Sequence, residues 1–203
     1  MNFEKIKNVI IMLKEVRFYS RGGQGGVTGA KLLAYAGALQ GLEVQAIPKY
    51  GAERKGAPIF VDVRLSDKPI RTHSPVGNDA DYFIILEPSL LSKLPSIREN
   101  ALIVVNAKQL PETQLDLSKN KVGVVDAYKI AEEENLIKSG TPLVSTIMIG
   151  AWAKASNELI SMKNIQLAVN KYFSGTLAQK NINGITKAYS EYKDLEVQEM
   201  LTS

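Results

Sequence analysis

"FYSRGGQGGVTGAKLLAYAG" (residues 18–37) decides the fold class. The run EVRFY at 15–19 alternates apolar and polar residues with period two and reads as a strand. Glycines at 22, 23, 25, 26 and 29 follow it directly. Behind them Val27, Ala30, Leu33, Ala34, Gly37 and Ala38 recur at the three-and-four spacing of one helix face. Gly41 stands where a glycine commonly closes a helix. Strand, glycine turn and helix make the first unit of an α/β sheet.

The rest of the chain repeats the strand-then-helix order. EVQAI (43–47) predicts a second strand, stopped by Pro48. IFVDVRL (59–65) alternates cleanly, as an antiparallel or edge strand does. DYFIILE (81–87), ALIVVN (101–106) and KVGVVD (121–126) are nearly continuous apolar runs, the mark of central strands buried on both faces. A short helix is expected over 89–97, a polar one over 127–137, and three more over 143–156, 162–173 and 179–201. The helix at 143–156 is apolar almost all round, so it is buried in the domain or against a partner, with Trp152 in the core or an interface. AEEEN (131–135) reads as a solvated helix face. Together these imply a Rossmann-like three-layer α/β/α fold with a mainly parallel sheet, helices on both faces and a helical C-terminal part. Residues 1–13 read as an N-terminal extension, with Met12 an alternative start, and 14–203 as a single domain.

Composition excludes several functions. Hydrophobic residues are 45% and charged residues 23% of the 203, ordinary for a globular protein. The net charge of +4 is spread along the chain, and its densest group, at 49–55, is too sparse for a nucleic-acid arm. With no cysteine, the chain can form neither disulfides nor thiolate-ligated iron–sulfur clusters, and thiol catalysis is out. One histidine, His73, cannot make a histidine-rich zinc site, and without a nearby acid it reads as a loop residue. The apolar run NVIIML (8–13) is far shorter than the ~20 residues of a membrane span. A cytoplasmic protein without nucleic-acid or membrane partners is expected.

The glycine loop has the parts of a phosphate cradle, since glycines allow close backbone approach and a helix N-terminus presents unpaired N–H groups. It fails the dinucleotide test. In the G-x-G-x-x-G register Ser20 occupies the first glycine position, ahead of Gly22 and Gly25. The second strand ends in Ile47-Pro48-Lys49, without the acid that holds a ribose, and Val27-Thr28 stands where a P-loop has Lys-Ser/Thr. Two readings stay open: a turn whose glycines only permit close packing, or a surface that meets an anion or a partner. A second cluster, KYGAERKGAP (49–58), emerges on the same carboxyl-end rim, where open α/β sheets bind ligands and partners. By itself it is equally an ordinary solvated turn.

Taken together and in this order, the two motifs resemble the gamma subunit of the 2-oxoacid:ferredoxin oxidoreductases, nearest the pyruvate branch. The family's G-x-G-G-Q-G corresponds to Ser20-Arg21-Gly22-Gly23-Gln24-Gly25, with Gly26 extra. Its Tyr/Phe-Gly-x-Glu-x-x-Gly run corresponds to Tyr50-Gly51-Ala52-Glu53-Arg54-Lys55-Gly56, followed by Ala57-Pro58. Asp81 before a central strand, Pro142 opening a late helix and Lys180-Asn181 opening the last one agree as well. Ser20 departs from the family glycine, and a serine there restricts positive φ, so a slightly different turn is expected.

The resemblance implies a subunit, inert alone, of an enzyme converting a 2-oxoacid, CoA and oxidised ferredoxin to acyl-CoA, carbon dioxide and reduced ferredoxin. It implies thiamine diphosphate, Mg and [4Fe–4S] clusters in other subunits, and alpha, beta and delta-type subunits with ferredoxin as partners. No catalytic residue or metal ligand is assigned to this chain. Arg21, Gly22, Gly23, Gln24, Gly25 and Gly26 become candidate contacts to CoA or a neighbouring subunit. Tyr50, Gly51, Glu53, Arg54, Lys55 and Gly56 become candidate interface or CoA contacts. Enzymes for 2-oxoglutarate, branched-chain 2-oxoacids or indolepyruvate, a free-standing nucleotide-dependent oxidoreductase, and a non-enzymatic α/β module are the alternatives.

Overall fold

The computed structural model describes residues 13–49, 58–72, 76, 79–94, 96–138 and 140–196. Its elements run β1 (Lys14–Arg21), α1 (Gly26–Leu39), β2 (Glu43–Lys49), β3 (Pro58–Ser66), β4 (Tyr82–Ile85), a 3-10 helix (Pro88–Lys93), β5 (Leu102–Asn106) and β6 (Lys121–Val125). Then come α2 (Ala127–Glu133), β7 (Ile137–Lys138), β8 (Thr141–Pro142), α3 (Ser145–Ala155), α4 (Met162–Tyr172), α5 (Gly175–Glu191) and β9 (Lys193–Leu195).

Seven strands form one sheet in the order β2-β3-β1-β4-β5-β6-β9, while β7 and β8 make a separate hairpin. β1, β4, β5 and β6 pair in parallel, and the continuous apolar runs at β4, β5 and β6 are central strands as expected. β3 pairs antiparallel with both β1 and β2, and β9 antiparallel with β6, so β3 and β9 alone run against the rest. The α/β class, the mainly parallel sheet and the helical C-terminal part therefore stand. The two faces are covered unequally. All five α-helices pack on one, around Phe18, Ile84 and Val104. The 3-10 helix and segments near Leu110 and Leu117 cover the other, around Phe83, Ile103 and Val124.

Several elements differ from expectation for physical reasons. β3 is antiparallel, as one of its two expected forms, and lies inside the sheet, so that β2 is the outermost strand on that side. β2 runs through Pro48, which an outer strand tolerates because one side of its ladder has no partner strand. The expected helix at 89–97 is a six-residue 3-10 helix, and Leu94, which precedes Pro95, is extended as pre-proline sterics demand. α2 stops at Glu133, where Asn135 turns left-handed (φ 54°) and Leu136 N–H bonds to Ala131 O at 2.8 Å. Pro142 lies in β8 rather than opening α3. α5 starts at Gly175 and ends at Glu191, which puts Lys180 and Asn181 inside it and leaves 193–195 to form β9.

The expectation for α3 holds: residues 145–153 are all buried, Trp152 completely, edge-on to Tyr82 with ring centres 5.6 Å apart. The acidic face of α2 is exposed at Glu133 and is also paired, to Lys187 of α5 at 3.1 Å. Asp81 precedes β4 as expected, and its carboxylate accepts the Glu15 N–H at 2.9 Å. Among the described residues no helix is long and apolar enough to cross a membrane.

Candidate functional site

The carboxyl ends of β1, β4 and β6 meet at one rim, and the glycine loop is its centre. β1 delivers Arg21, and α1 starts five residues later with Gly25 as its N-cap in the left-handed region (φ 81°). Gly23 is also left-handed (φ 99°), with open space where a β-carbon would point, so its backbone conformation rather than crowding calls for glycine. Gly29 is different: a β-carbon there would lie 3.0 Å from Ser145 Cβ and 3.1 Å from Ser145 O. A β-carbon at Gly26 would collide with Ser20 Oγ. The packing reading holds for Gly26 and Gly29, while Gly22 and Gly23 face solvent. Ser20 is buried in β1 and is not among the residues of positive φ, so the predicted conflict with a serine does not arise.

Gln24 is the one side chain between Arg21 and Val27, and it turns inward, 7% exposed. Its Oε1 accepts the Arg21 N–H at 2.8 Å. Its Nε2 donates to Glu87 Oε2 at 2.8 Å and to Tyr128 Oη at 2.9 Å. Tyr128 donates to the same Glu87 oxygen at 3.1 Å, and Ser89 Oγ donates to Glu87 Oε1 at 2.9 Å. Arg21 Nη2 closes the ring by donating to Ser89 Oγ at 3.0 Å.

Neighbouring contacts place these groups. Buried Asn106 at the end of β5 donates to Leu86 O at 2.9 Å and accepts the Ala127 N–H at 2.9 Å, fixing the start of α2 beside β4. Asp126 caps that helix by accepting the Lys129 N–H at 3.0 Å. Partial burial pushes the Glu87 carboxyl up, but the hydrogen bonds from Ser89, Gln24 and Tyr128 outweigh it and hold the group below its usual range. Burial, with the Glu87 charge second, pushes the Tyr128 hydroxyl up to about 12. At neutral pH Glu87 is therefore an ionised carboxylate that accepts from the neutral donors Ser89, Gln24 and Tyr128.

Beside the loop lies an open pocket of about 290 Å³, lined in part by Arg21, Gly23, Gly25, Thr28 and Lys138. Most of its lining is apolar, with Val27, Ile59 and Leu143; its polar part is the amide-rich start of α1 with Arg21 and Lys138, a setting that suits an anionic group. Among the described residues no group of three or more His, Asp or Glu side chains is placed to hold a metal ion.

Of the residues singled out from sequence, Arg21, Gly22, Gly23, Gln24, Gly25 and Gly26 are together here. Tyr50, Gly51, Glu53, Arg54, Lys55 and Gly56 lie outside the described residues, as does His73. Their flanks are on this rim: β2 ends at Lys49 and β3 begins at Pro58, which pairs with Arg21. Sequence reasoning missed Glu87, Tyr128 and Lys138. Glu87 carried a usable signal, an acid at the carboxyl end of a central strand.

Comparison with known proteins identifies the family. Residues 15–191 match the family model described as pyruvate ferredoxin/flavodoxin oxidoreductase. The chain is 36% identical over 189 residues to the pyruvate/ketoisovalerate oxidoreductases common subunit gamma of Pyrococcus abyssi, covering 90% of this chain and 99% of the relative. It is 39% identical over 160 residues to pyruvate synthase subunit PorC of Methanosarcina barkeri, covering 77% and 85%. Among solved structures, pyruvate oxidoreductase subunit PORC of Thermotoga maritima superposes with a TM-score of 0.76 at 26% identity, covering 92% of this chain and 100% of that one. The chain therefore belongs to the pyruvate ferredoxin/flavodoxin oxidoreductase family.

Proposed function

We infer that the chain works as the gamma subunit of a multi-subunit 2-oxoacid:ferredoxin oxidoreductase whose oxoacid is pyruvate. The observation that carries this is similarity along nearly the whole length to gamma subunits, at 36% identity over 99% of the Pyrococcus relative. The overall reaction takes the 2-oxoacid, CoA and oxidised ferredoxin to acyl-CoA, carbon dioxide and reduced ferredoxin. Thiamine diphosphate with Mg supplies the carbanion chemistry and [4Fe–4S] clusters the electron path, both held by alpha, beta and delta-type subunits. The absence of cysteine in this chain supports that division of labour. The complex works in the cytoplasm.

This chain's part is to dock against the thiamine-bearing subunits and to present its glycine rim to CoA. Arg21, Lys138 and the amides at the start of α1 suit the phosphates of CoA, and the motif at 50–56 joins them as an interface or CoA contact. A second reading has its own support: the Pyrococcus relative is named a subunit common to pyruvate and ketoisovalerate oxidoreductases. On that reading one gamma subunit serves both a pyruvate and a branched-chain 2-oxoacid enzyme.

Co-purification tests the assignment. A tagged chain is expected to bring down thiamine- and cluster-bearing subunits as a brown complex. Recovery as a colourless, nucleotide-binding monomer would overturn it.

A further inference from the structure

The hydrogen-bonded ring around Gln24 solves a physical problem that the loop cannot solve alone. Residues 22–26 are Gly-Gly-Gln-Gly-Gly, and glycine retains the most backbone freedom of any residue. Only one side chain is available to set their shape. That side chain reaches across the rim to Glu87, 63 residues away, and to Tyr128, 104 residues away. It also receives the Arg21 N–H, while the Arg21 guanidinium is held through Ser89 to the other oxygen of Glu87. One carboxylate thus governs both the backbone of the loop and the direction of the cation beside its pocket.

We propose that Glu87, acting through Gln24, is the positioning residue that holds the glycine loop and Arg21 in the shape required to take up CoA. The proposal rests on the assignment of this rim to CoA. Glu87 takes no part in bond making. It accepts from Gln24 Nε2, Tyr128 Oη and Ser89 Oγ, and the geometry is unambiguous about donors: a second acceptor at position 24 would face the carboxylate with nothing to share.

That polarity supplies the test, a reciprocal exchange in the assembled complex. Gln24→Glu is nearly isosteric but sets two carboxylates against each other. Gln24→Glu combined with Glu87→Gln restores the pattern. The amide at 87 then donates to the carboxylate at 24, which still accepts the Arg21 N–H, and the Tyr128 hydroxyl, which accepted from Gln24 and donated to Glu87, reverses its direction and donates to the carboxylate at 24. Two quantities are read: hydrogen–deuterium exchange of residues 22–26, and the CoA KM against kcat with a viologen dye as acceptor. Gln24→Glu is expected to speed exchange in the loop and raise the CoA KM by about tenfold, the scale of one lost charge-assisted hydrogen bond, with kcat largely kept. The double variant is expected to return both close to wild type. Tyr128→Phe, which removes the hydroxyl's bonds to Gln24 and Glu87 without adding charge, is a milder probe expected to move both in the same direction.

Unchanged loop exchange in an intact Gln24→Glu complex would overturn the proposal. So would altered exchange with an unchanged CoA KM, or a double variant no better than the single one. Those outcomes leave the family assignment standing. A wild-type complex without CoA-dependent turnover would instead sink the functional reading and this proposal with it.

Discussion

Arg17 grips Asp62 directly across β1 and β3 with two nearly parallel hydrogen bonds, Nε to Oδ1 at 2.6 Å and Nη2 to Oδ2 at 2.8 Å. Arg17 is 5% exposed and Asp62 fully buried, on the sheet face away from the α-helices. Lys49, the last residue of β2, reaches the same carboxylate at 3.1 Å. Burial works against the Arg17 charge, yet the hydrogen bonds and charge of Asp62 prevail and keep the guanidinium above its ordinary pKa. Removing one partner strands the other charge. Asp62→Asn is therefore expected to cost about 3–5 kcal/mol in denaturant unfolding, and replacing Arg17 and Asp62 together by apolar residues to recover most of it.

Glu87 gives the stability of the chain an acid-side dependence. Its folded pKa is depressed, so its stabilising effect is complete above the ordinary carboxylate range and fades as the pH falls through the folded value. Melting temperatures of wild type and Glu87→Gln are expected to differ at neutral pH and to converge in acid. Parallel curves would remove Glu87 from this role.

Gly150 marks the point where α3 crosses α5. A β-carbon there would collide with the backbone carbonyl of Ile185, which no side-chain rotation relieves. Gly150→Ala gains at most ~1 kcal/mol of helix propensity. Forced separation of two packed helices costs about 1–3 kcal/mol, so net destabilisation is expected in thermal melting.

The last strand depends on a similar fit. Tyr192 lies against Gly123 of β6, where any β-carbon would collide with its ring, and its hydroxyl donates to Asp194 at 2.7 Å. Gly123→Ala is expected to undock β9 at a cost of about 1–3 kcal/mol. Limited proteolysis would register this as faster cleavage within 193–195.

Local pattern carried much of the fold. The apolar runs that became β4, β5 and β6 could hardly be anything but central strands, and the glycines between β1 and α1 announced their turn. Elements set by tertiary docking were hidden. Lys193-Asp194-Leu195 has no strand pattern and is extended because it lies beside β6. Pro48 stays in β2 because β2 is outermost, a fact of sheet order that no local window contains. The candidate site divides the same way. Arg21 and the glycines stand together in the sequence, whereas Glu87 and Tyr128 join Gln24 only after the sheet has brought distant strand ends to one rim. The resemblance directed attention to Gln24 as part of a motif, but its inward direction and its carboxylate partner emerged only from the fold.

Turnover by the complex that carries this chain tests the central claim most directly. With pyruvate and CoA supplied, the purified complex is expected to reduce ferredoxin or a viologen dye, and to lose that activity when pyruvate is withheld. A complex that contains the chain, thiamine diphosphate and iron–sulfur clusters, yet reduces neither acceptor with pyruvate or a branched-chain 2-oxoacid, would contradict the account.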